Sequence, residues 1–227
     1  ALIEREQTLD QAIQDFRNIC VKGARHANGG GDLVMDDQTE AMIGGYCGCV
    51  ADNMATKVQP LEIAKLATGE QSDETLKILD AVVADCGAQH LVAQIAAGAE
   101  AVQIFDSWAC GLPPKAFADW VIAPTAKIVR LVRTVHPQAK IIGFPRAATL
   151  QGYEHYARQT GVDAVSLDTA APMEWVAGIL GGQVALQGNL DPLALVAGGD
   201  ALGWNVDEIL NATRGVPFIF NLGHGIL

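Results

Sequence analysis

The sequence predicts an α/β protein, a (β/α)8 TIM barrel that is incomplete in these 227 residues. Three observations lead there. From about Ser72 onward, short apolar runs alternate with stretches of helical spacing, and successive strands joined by helices must run parallel. Five of those runs end in polar residues, as a barrel mouth needs, whereas an open doubly wound sheet gathers its ligands at one switch point. No GxGxxG follows a strand, since Gly29-Gly30-Gly31 has no strand before it. Five units fall short of eight, hence an incomplete barrel.

The elements follow in order. Leu9–Ile19 places Ile13, Phe16 and Ile19 on one side of a helix. Gly23 to Asp37 is polar and Gly-rich, without periodicity. Met42–Tyr46 is compatible with a strand, and Leu61–Leu66 with a short helix. Ser72 caps a helix whose first turn carries Asp73 and Glu74 at the positive end of its dipole, and Leu76, Leu79, Val83 and Cys86 continue it towards Ile95. Gly98 breaks the pattern before a buried strand, Ala101–Phe105. Strands at Lys140–Phe144, Asp163–Leu167, Gln183–Leu186 and Pro217–Phe220 complete the set. Helices near Leu150–Gln159, around Pro172–Leu180 and from Asp191-Pro192 separate them. No linker or repeat divides the chain, so 1–227 is read as one domain.

Composition narrows the function classes. A formal charge of −11, without basic stripes, argues against nucleic acid and anionic membranes as partners. No apolar run approaches the ~18 residues of a membrane span. Ala1–Glu6 lack a basic start before an apolar core, so no signal peptide is expected and a cytoplasmic location follows. The five cysteines are an odd number in a chain large enough to need no staples, so reduced thiols are expected. Cys47-Gly48-Cys49 has neither a redox CxxC spacing nor a common zinc spacing.

The strand tips hold the candidate chemistry: Asp106 and Ser107, Arg146, Asp168, Gln187, Asn189 and Asp191, then Asn221 and His224. Taken singly, each has a structural explanation as a cap, a turn residue or a solvated charge. Their convergence at one mouth shifts the balance towards a hydrolytic or proton-transfer site without metal. The other four histidines lie away from the tips.

The same tips carry a family resemblance. Gln103-Ile104-Phe105-Asp106-Ser107-Trp108-Ala109, Ile142-Gly143-Phe144-Pro145-Arg146, Gly161–Asp168, Leu186-Gln187-Gly188-Asn189-Leu190-Asp191-Pro192 and Phe220-Asn221-Leu222-Gly223-His224-Gly225 resemble uroporphyrinogen decarboxylases, in order and spacing, from roughly Thr75 to Leu227. The resemblance implies a (β/α)8 barrel, usually a homodimer, and no metal or organic cofactor. It implies stepwise decarboxylation of the four acetate side chains of uroporphyrinogen III to coproporphyrinogen III in porphyrin and haem synthesis. Carried across residue by residue, it makes Ser107 and His224 substrate contacts and Phe105 an aromatic wall of the cleft. Arg146 is a basic substrate-binding residue.

The departures fall mainly in the first seventy residues. The family's arginine-containing loop, and the aspartate that receives the pyrrole N–H groups, have no counterpart. Gly45–Val58 echoes a segment that carries a tyrosine in the family, with Lys57 at its place. Cys110, Ala147-Ala148 and Thr169 replace residues that are usually glycines and a tryptophan. Two other functions compete. A corrinoid-linked zinc methyltransferase shares the barrel, but its HxCG ligands are replaced by Gly143-Phe144-Pro145-Arg146. The other is a non-catalytic barrel that binds a tetrapyrrole or serves as a scaffold, since without the family's anion-binding half turnover would be abolished.

Overall fold

A computed structural model of the protein describes residues 2–27, 37–66 and 68–225, with the backbone alone for 2–9, 24–27, 38 and 39. Where sequence reading treats 1–227 as one domain, the contacts divide the chain into two compact units, Ala1–His90 and Leu91–Leu227.

The first unit is helical: α1 (Leu2–Ala27), α2 (Asp37–Lys57), α3 (Pro60–Lys65) and most of α4 (Asp73–Ala96). The first helix extends well beyond the expected Leu9–Ile19. Met42–Tyr46, compatible with a strand in sequence, lies inside α2. A short apolar run does not distinguish strand from buried helix, and the wider context decides. Cys47, Val50, Ala51 and Met54 recur at helical spacing and are buried, while Asp37 and Lys57 suit the two ends of the dipole. The Gly-rich stretch predicted over Gly23 to Asp37 lies largely outside the described residues.

Val50, Met54, Val58, Ile63, Val82 and Cys86 form the core here, with Phe16, Tyr46 and Leu79 packed against it. The expectation of reduced thiols is overturned for four of the five cysteines. Cys20 is bonded to Cys47 and Cys49 to Cys86, with Cα–Cα distances of 5.7 and 5.9 Å. Cys47 and Cys49, two residues apart, face different neighbours and so tie α2 to both α1 and α4. The odd count simply leaves Cys110 exposed and free. A second fastening is polar. Glu62 accepts hydrogen bonds from Lys65 Nζ at 2.6 Å, the Ser72 amide at 3.1 Å and Thr75 Oγ1 at 3.2 Å. Ser72 Oγ takes the Thr75 amide at 3.2 Å, the predicted cap.

The second unit holds the predicted strands: β1 (Ala101–Asp106), β2 (Lys140–Pro145), β3 (Ala164–Ser166), β4 (Ala185–Leu190) and β5 (Phe218–Leu222). They form one sheet in chain order, every neighbouring pair parallel. Helices α5 (Pro114–Phe117), a π-helical turn (Ala118–Ile122) and α6 (Ala123–Val135) connect β1 to β2. Later crossovers use α7 (Leu150–Thr160), α8 (Met173–Leu180), and α9 (Pro192–Ala197) with α10 (Gly199–Ala212).

The sheet is strongly curled. Gln187 Nε2 on β4 donates to Gln103 Oε1 on β1 at 3.0 Å, although two strands lie between them. In a flat sheet those strands would stand about 14 Å apart, three spacings of roughly 4.8 Å, too far for two glutamine side chains to meet this closely. Gln103 and Gln187 therefore point into the concave side, which supports a partial barrel over an open sheet. Helix packing on the other side is close. A Cβ added at Gly143 on β2 would stand 2.4 Å from Tyr156 Oη and 2.5 Å from its ring, so glycine lets α7 press onto the sheet. Asp163 ties the lower ends together. Its Oδ2 accepts from the Ile141 amide and from Arg133 Nη2, both at 2.9 Å.

Candidate active site

The concave side is built from the pleat. Paired residues of adjacent strands share a face, so the registers Gln103↔Ile142 and Phe105↔Phe144, Ser166↔Gln187, and Gln187↔Ile219 set the lining. Gln187 Nε2 also reaches Ser166 Oγ at 3.1 Å. A polar ladder of Gln103, Gln187 and Ser166 thus occupies the lower part of the concavity. Sequence reasoning picked out Gln187 as a tip residue but missed Gln103 and Ser166. The signal was there: a glutamine and a serine each interrupt an otherwise apolar strand.

At the mouth, Phe105 stacks edge-on against Phe144 with centroids 6.0 Å apart and remains 67% exposed, as an aromatic wall open to a ligand would be. The turn after β1 is held by Asp106. Its Oδ1 accepts the Trp108 amide at 3.1 Å, and its carbonyl accepts the Arg146 amide at 3.0 Å. Burial pushes the Asp106 carboxyl up, against the smaller lowering effect of the Trp108 N–H. Ser107 and Arg146 consequently sit on adjacent tips, with Arg146 exposed.

The next tip is pinned from several sides. Asp168 is buried, and its Oδ1 accepts the Ala170 amide at 2.9 Å, while its own amide donates to Tyr153 Oη at 3.4 Å. Burial first, and the Asp168 carboxylate second, raise the Tyr153 hydroxyl above its ordinary value, so it stays protonated. Asn189 Nδ2 donates to the carbonyls of Asp168 and Ala171 at 2.9 and 2.7 Å. Asn189 therefore holds the neighbouring loop rather than making a turn of its own, whereas Asp191 is the expected cap, accepting the Leu193 amide at 2.8 Å.

His224 rests on this platform. The Gly223 amide donates to the Leu190 carbonyl at 2.9 Å, and a Cβ added at Gly223 would stand 2.5 Å from the Thr169 amide nitrogen. Only glycine lets the His224 loop lie so close to the Asp168–Thr169 backbone. The ring Nδ1 is 2.8 Å from the Gly225 carbonyl oxygen. A carbonyl only accepts, so Nδ1 carries a hydrogen and Nε2 is left for another partner. Phe105, Ser107 and Arg146 are thus brought together on neighbouring strands, and His224 stands on the tip of β5. Among the described residues, no hydrogen bond joins His224 to those three.

Fold and mouth define the class: a partial (β/α) barrel of five parallel strands whose C-terminal tips carry an aromatic wall, a hydroxyl, an arginine and an imidazole. The family model for uroporphyrinogen decarboxylase matches residues 35–227, and the chain belongs to that family. The match begins well before the Thr75 boundary of the motif resemblance. Curated uroporphyrinogen decarboxylases are close in sequence. The protein of Rhizorhabdus wittichii is 53% identical over 150 residues, 66% of this chain and 43% of the relative. That of Sphingopyxis alaskensis is 51% identical over 150 residues, again 43% of its length. That of Chelativorans sp. is 48% identical over 163 residues, 72% of this chain and 47% of the relative. The chain thus spans less than half the length of these relatives. No helix of the described residues is long and apolar enough to cross a membrane.

Proposed function

We propose that this chain contributes one side of the active site of a uroporphyrinogen decarboxylase, removing the acetate carboxylates of uroporphyrinogen III to give coproporphyrinogen III. The observation that carries this reading is the near-50% identity to curated decarboxylases of that name. The chemistry fits the mouth. Protonating a pyrrole carbon makes the ring an electron sink for the departing carboxylate, and the carbon is then reprotonated. The protein's task is to bind a polycarboxylate macrocycle and to manage protons.

In this reading Phe105 packs on the macrocycle, Ser107 and His224 Nε2 hydrogen-bond it, and Arg146 pairs with one of its carboxylates. One arginine at the tips does not neutralise eight carboxylates on a chain of net charge −11. The remaining cations belong, in this reading, to the part of the enzyme that corresponds to the relatives' length outside the matched stretch. Turnover therefore requires that part, and by family analogy the working form is a homodimer in the cytoplasm. The disulfides bear on the last point, because a reducing cytosol would hold those four cysteines as thiols. Titrating free thiols in freshly isolated protein decides it: five per chain fits the cytosol, one contradicts it.

Binding is the direct test of the residue roles. The chain should quench uroporphyrin fluorescence weakly, with His224→Ala and Ser107→Ala each weakening it further by about tenfold, the worth of one charge-assisted hydrogen bond. Unchanged binding in both variants would place the macrocycle elsewhere.

A further inference from the structure

The mouth stands on two ribbons with a thin seam between them. β1 and β2 pair from Ala101↔Lys140 to Asp106↔Pro145, and β4 and β5 from Leu186↔Phe218 to Leu190↔Leu222. The short β3 lies between the ribbons and pairs with β2 only at Ile142↔Ala164 and Gly143↔Val165. Below these, the Asp163 amide donates to the Ile141 carbonyl at 2.8 Å. Above Gly143, among the described residues, Phe144 and Pro145 are paired with β1 and not with β3. The seam thus divides the mouth: Phe105, Ser107 and Arg146 belong to the first ribbon, and His224 follows the second.

A side-chain hydrogen bond crosses the seam where the backbone pairing stops. Gln187 Nε2 on β4 donates to Gln103 Oε1 on β1 at 3.0 Å. The other hydrogen of that Nε2 goes to Ser166 Oγ on β3 at 3.1 Å, which fixes how the amide is turned. Gln187 and Ser166 are 4% and 2% exposed, so water competes little for either bond. Gln103 lies two residues below Phe105 on the same face of β1. A tie at Gln103 therefore bears on where Phe105 and the turn at Ser107 stand, while its other end is on the strand that carries β5.

We propose that Gln187 is a positioning residue: its bond to Gln103 sets the separation of the two ribbons, and with it the distance between Ser107 and His224 across the mouth. This rests on the mouth being the macrocycle site argued above. A ligand that bonds Ser107 on one ribbon and His224 on the other gains fully from both only when their separation is fixed beforehand. Neither glutamine needs to touch the macrocycle.

The test is uroporphyrin quenching by the full 227-residue chain, with urea unfolding measured beside it. Gln187→Met keeps the length of the side chain and removes the bond. It should weaken uroporphyrin by about tenfold and lower the urea midpoint, because Gln103 loses its partner. Adding Gln103→Met removes the orphaned partner too, so the midpoint should return most of the way while affinity stays low. A merely structural role would make affinity follow the midpoint. On the doubly substituted background Ser107→Ala should cost at most about threefold, against about tenfold in the unaltered chain, because a macrocycle held at His224 no longer meets Ser107 well. Affinity that recovers with the midpoint would overturn the proposal. So would a Ser107→Ala cost still near tenfold on that background, which would make the glutamines direct contacts instead. If Ser107→Ala and His224→Ala both leave binding by the unaltered chain unchanged, the decarboxylase reading itself fails, and this inference with it.

Discussion

Up to His90 the chain is a set of helices fastened by two disulfides and a hydrogen-bond network around the Glu62 carboxylate; beyond it, parallel strands are covered by helices and fastened by close packing. The two regions use different means because their surfaces differ. A few helices present narrow apolar stripes, and covalent links between neighbours replace part of the missing core. In the five-stranded sheet the inner strands β2 to β4 are mostly buried, so shape decides there, as at Gly143 beneath Tyr156. The mouth belongs to the second region, where the tip residues ride on strands held by parallel pairing, β5 on β4 and β1 on β2.

The largest effect should come from the disulfides, measured in protein kept oxidised so that both bridges are formed. With the partners 27 and 37 positions apart in sequence, each bridge is worth about 3–4 kcal/mol in the chain-entropy account. Cys20→Ser with Cys49→Ser should speed hydrogen exchange in α1 to α3 by orders of magnitude and leave the β1 to β5 amides as they were. Uniform loosening of both regions would break the comparison. Next comes Gly143→Ala, which forces Tyr156 to move; overpacking of this kind costs about 1–3 kcal/mol. The urea midpoint of the second unit should fall, and Tyr156→Leu should cost less on that background than alone. An unshifted midpoint would mean that α7 yields freely.

Asp163→Ala deprives the Ile141 amide and Arg133 of their acceptor, for about 1–3 kcal/mol, the upper end less expected because the site is one-third exposed. Asp163→Asn should recover part of this in the same denaturation experiment, since its amide oxygen still accepts. Smallest is the effect of pH on Glu62. The hydrogen bond from Lys65 first, then that from the Ser72 amide, holds its carboxyl down from 4.5 to about 2. With the folded value depressed, the ionised carboxylate stabilises the first unit above about pH 4.5, and that contribution is lost as pH falls towards 2. A carboxyl-carbon titration with a midpoint near the ordinary carboxylate value would contradict this.

Strands and tips were legible because parallel strands buried on both sides leave short apolar runs with abrupt polar ends. Phe105 lies on β1, and Ser107, Arg146 and His224 follow the ends of β1, β2 and β5, where that pattern puts them. Three features were not legible, for separate reasons. Met42–Tyr46 is too short a run to tell strand from helix, and its neighbours at Cys47 and Val50 settled it. The Cys20–Cys47 and Cys49–Cys86 pairing depends on which helix faces align, which spacing alone does not encode. Asn189 looked like a turn residue in Gly-Asn-Leu-Asp-Pro, but its amide bonds span 21 and 18 residues to a loop on another strand. Gln103 was overlooked for a similar reason, because its partner Gln187 is 84 residues away.

The most direct test of the central claim is coproporphyrinogen formation from uroporphyrinogen. It should be measured for the chain alone and after mixing with the portion of the Rhizorhabdus wittichii relative that lies outside the matched 150 residues. The chain alone should be inactive, the mixture active, and His224→Ala should lower the mixture's rate by about tenfold, the worth of one hydrogen bond that His224 Nε2 accepts from the protonated macrocycle. Efficient turnover by the chain alone, or a mixture indifferent to His224→Ala, would contradict the account.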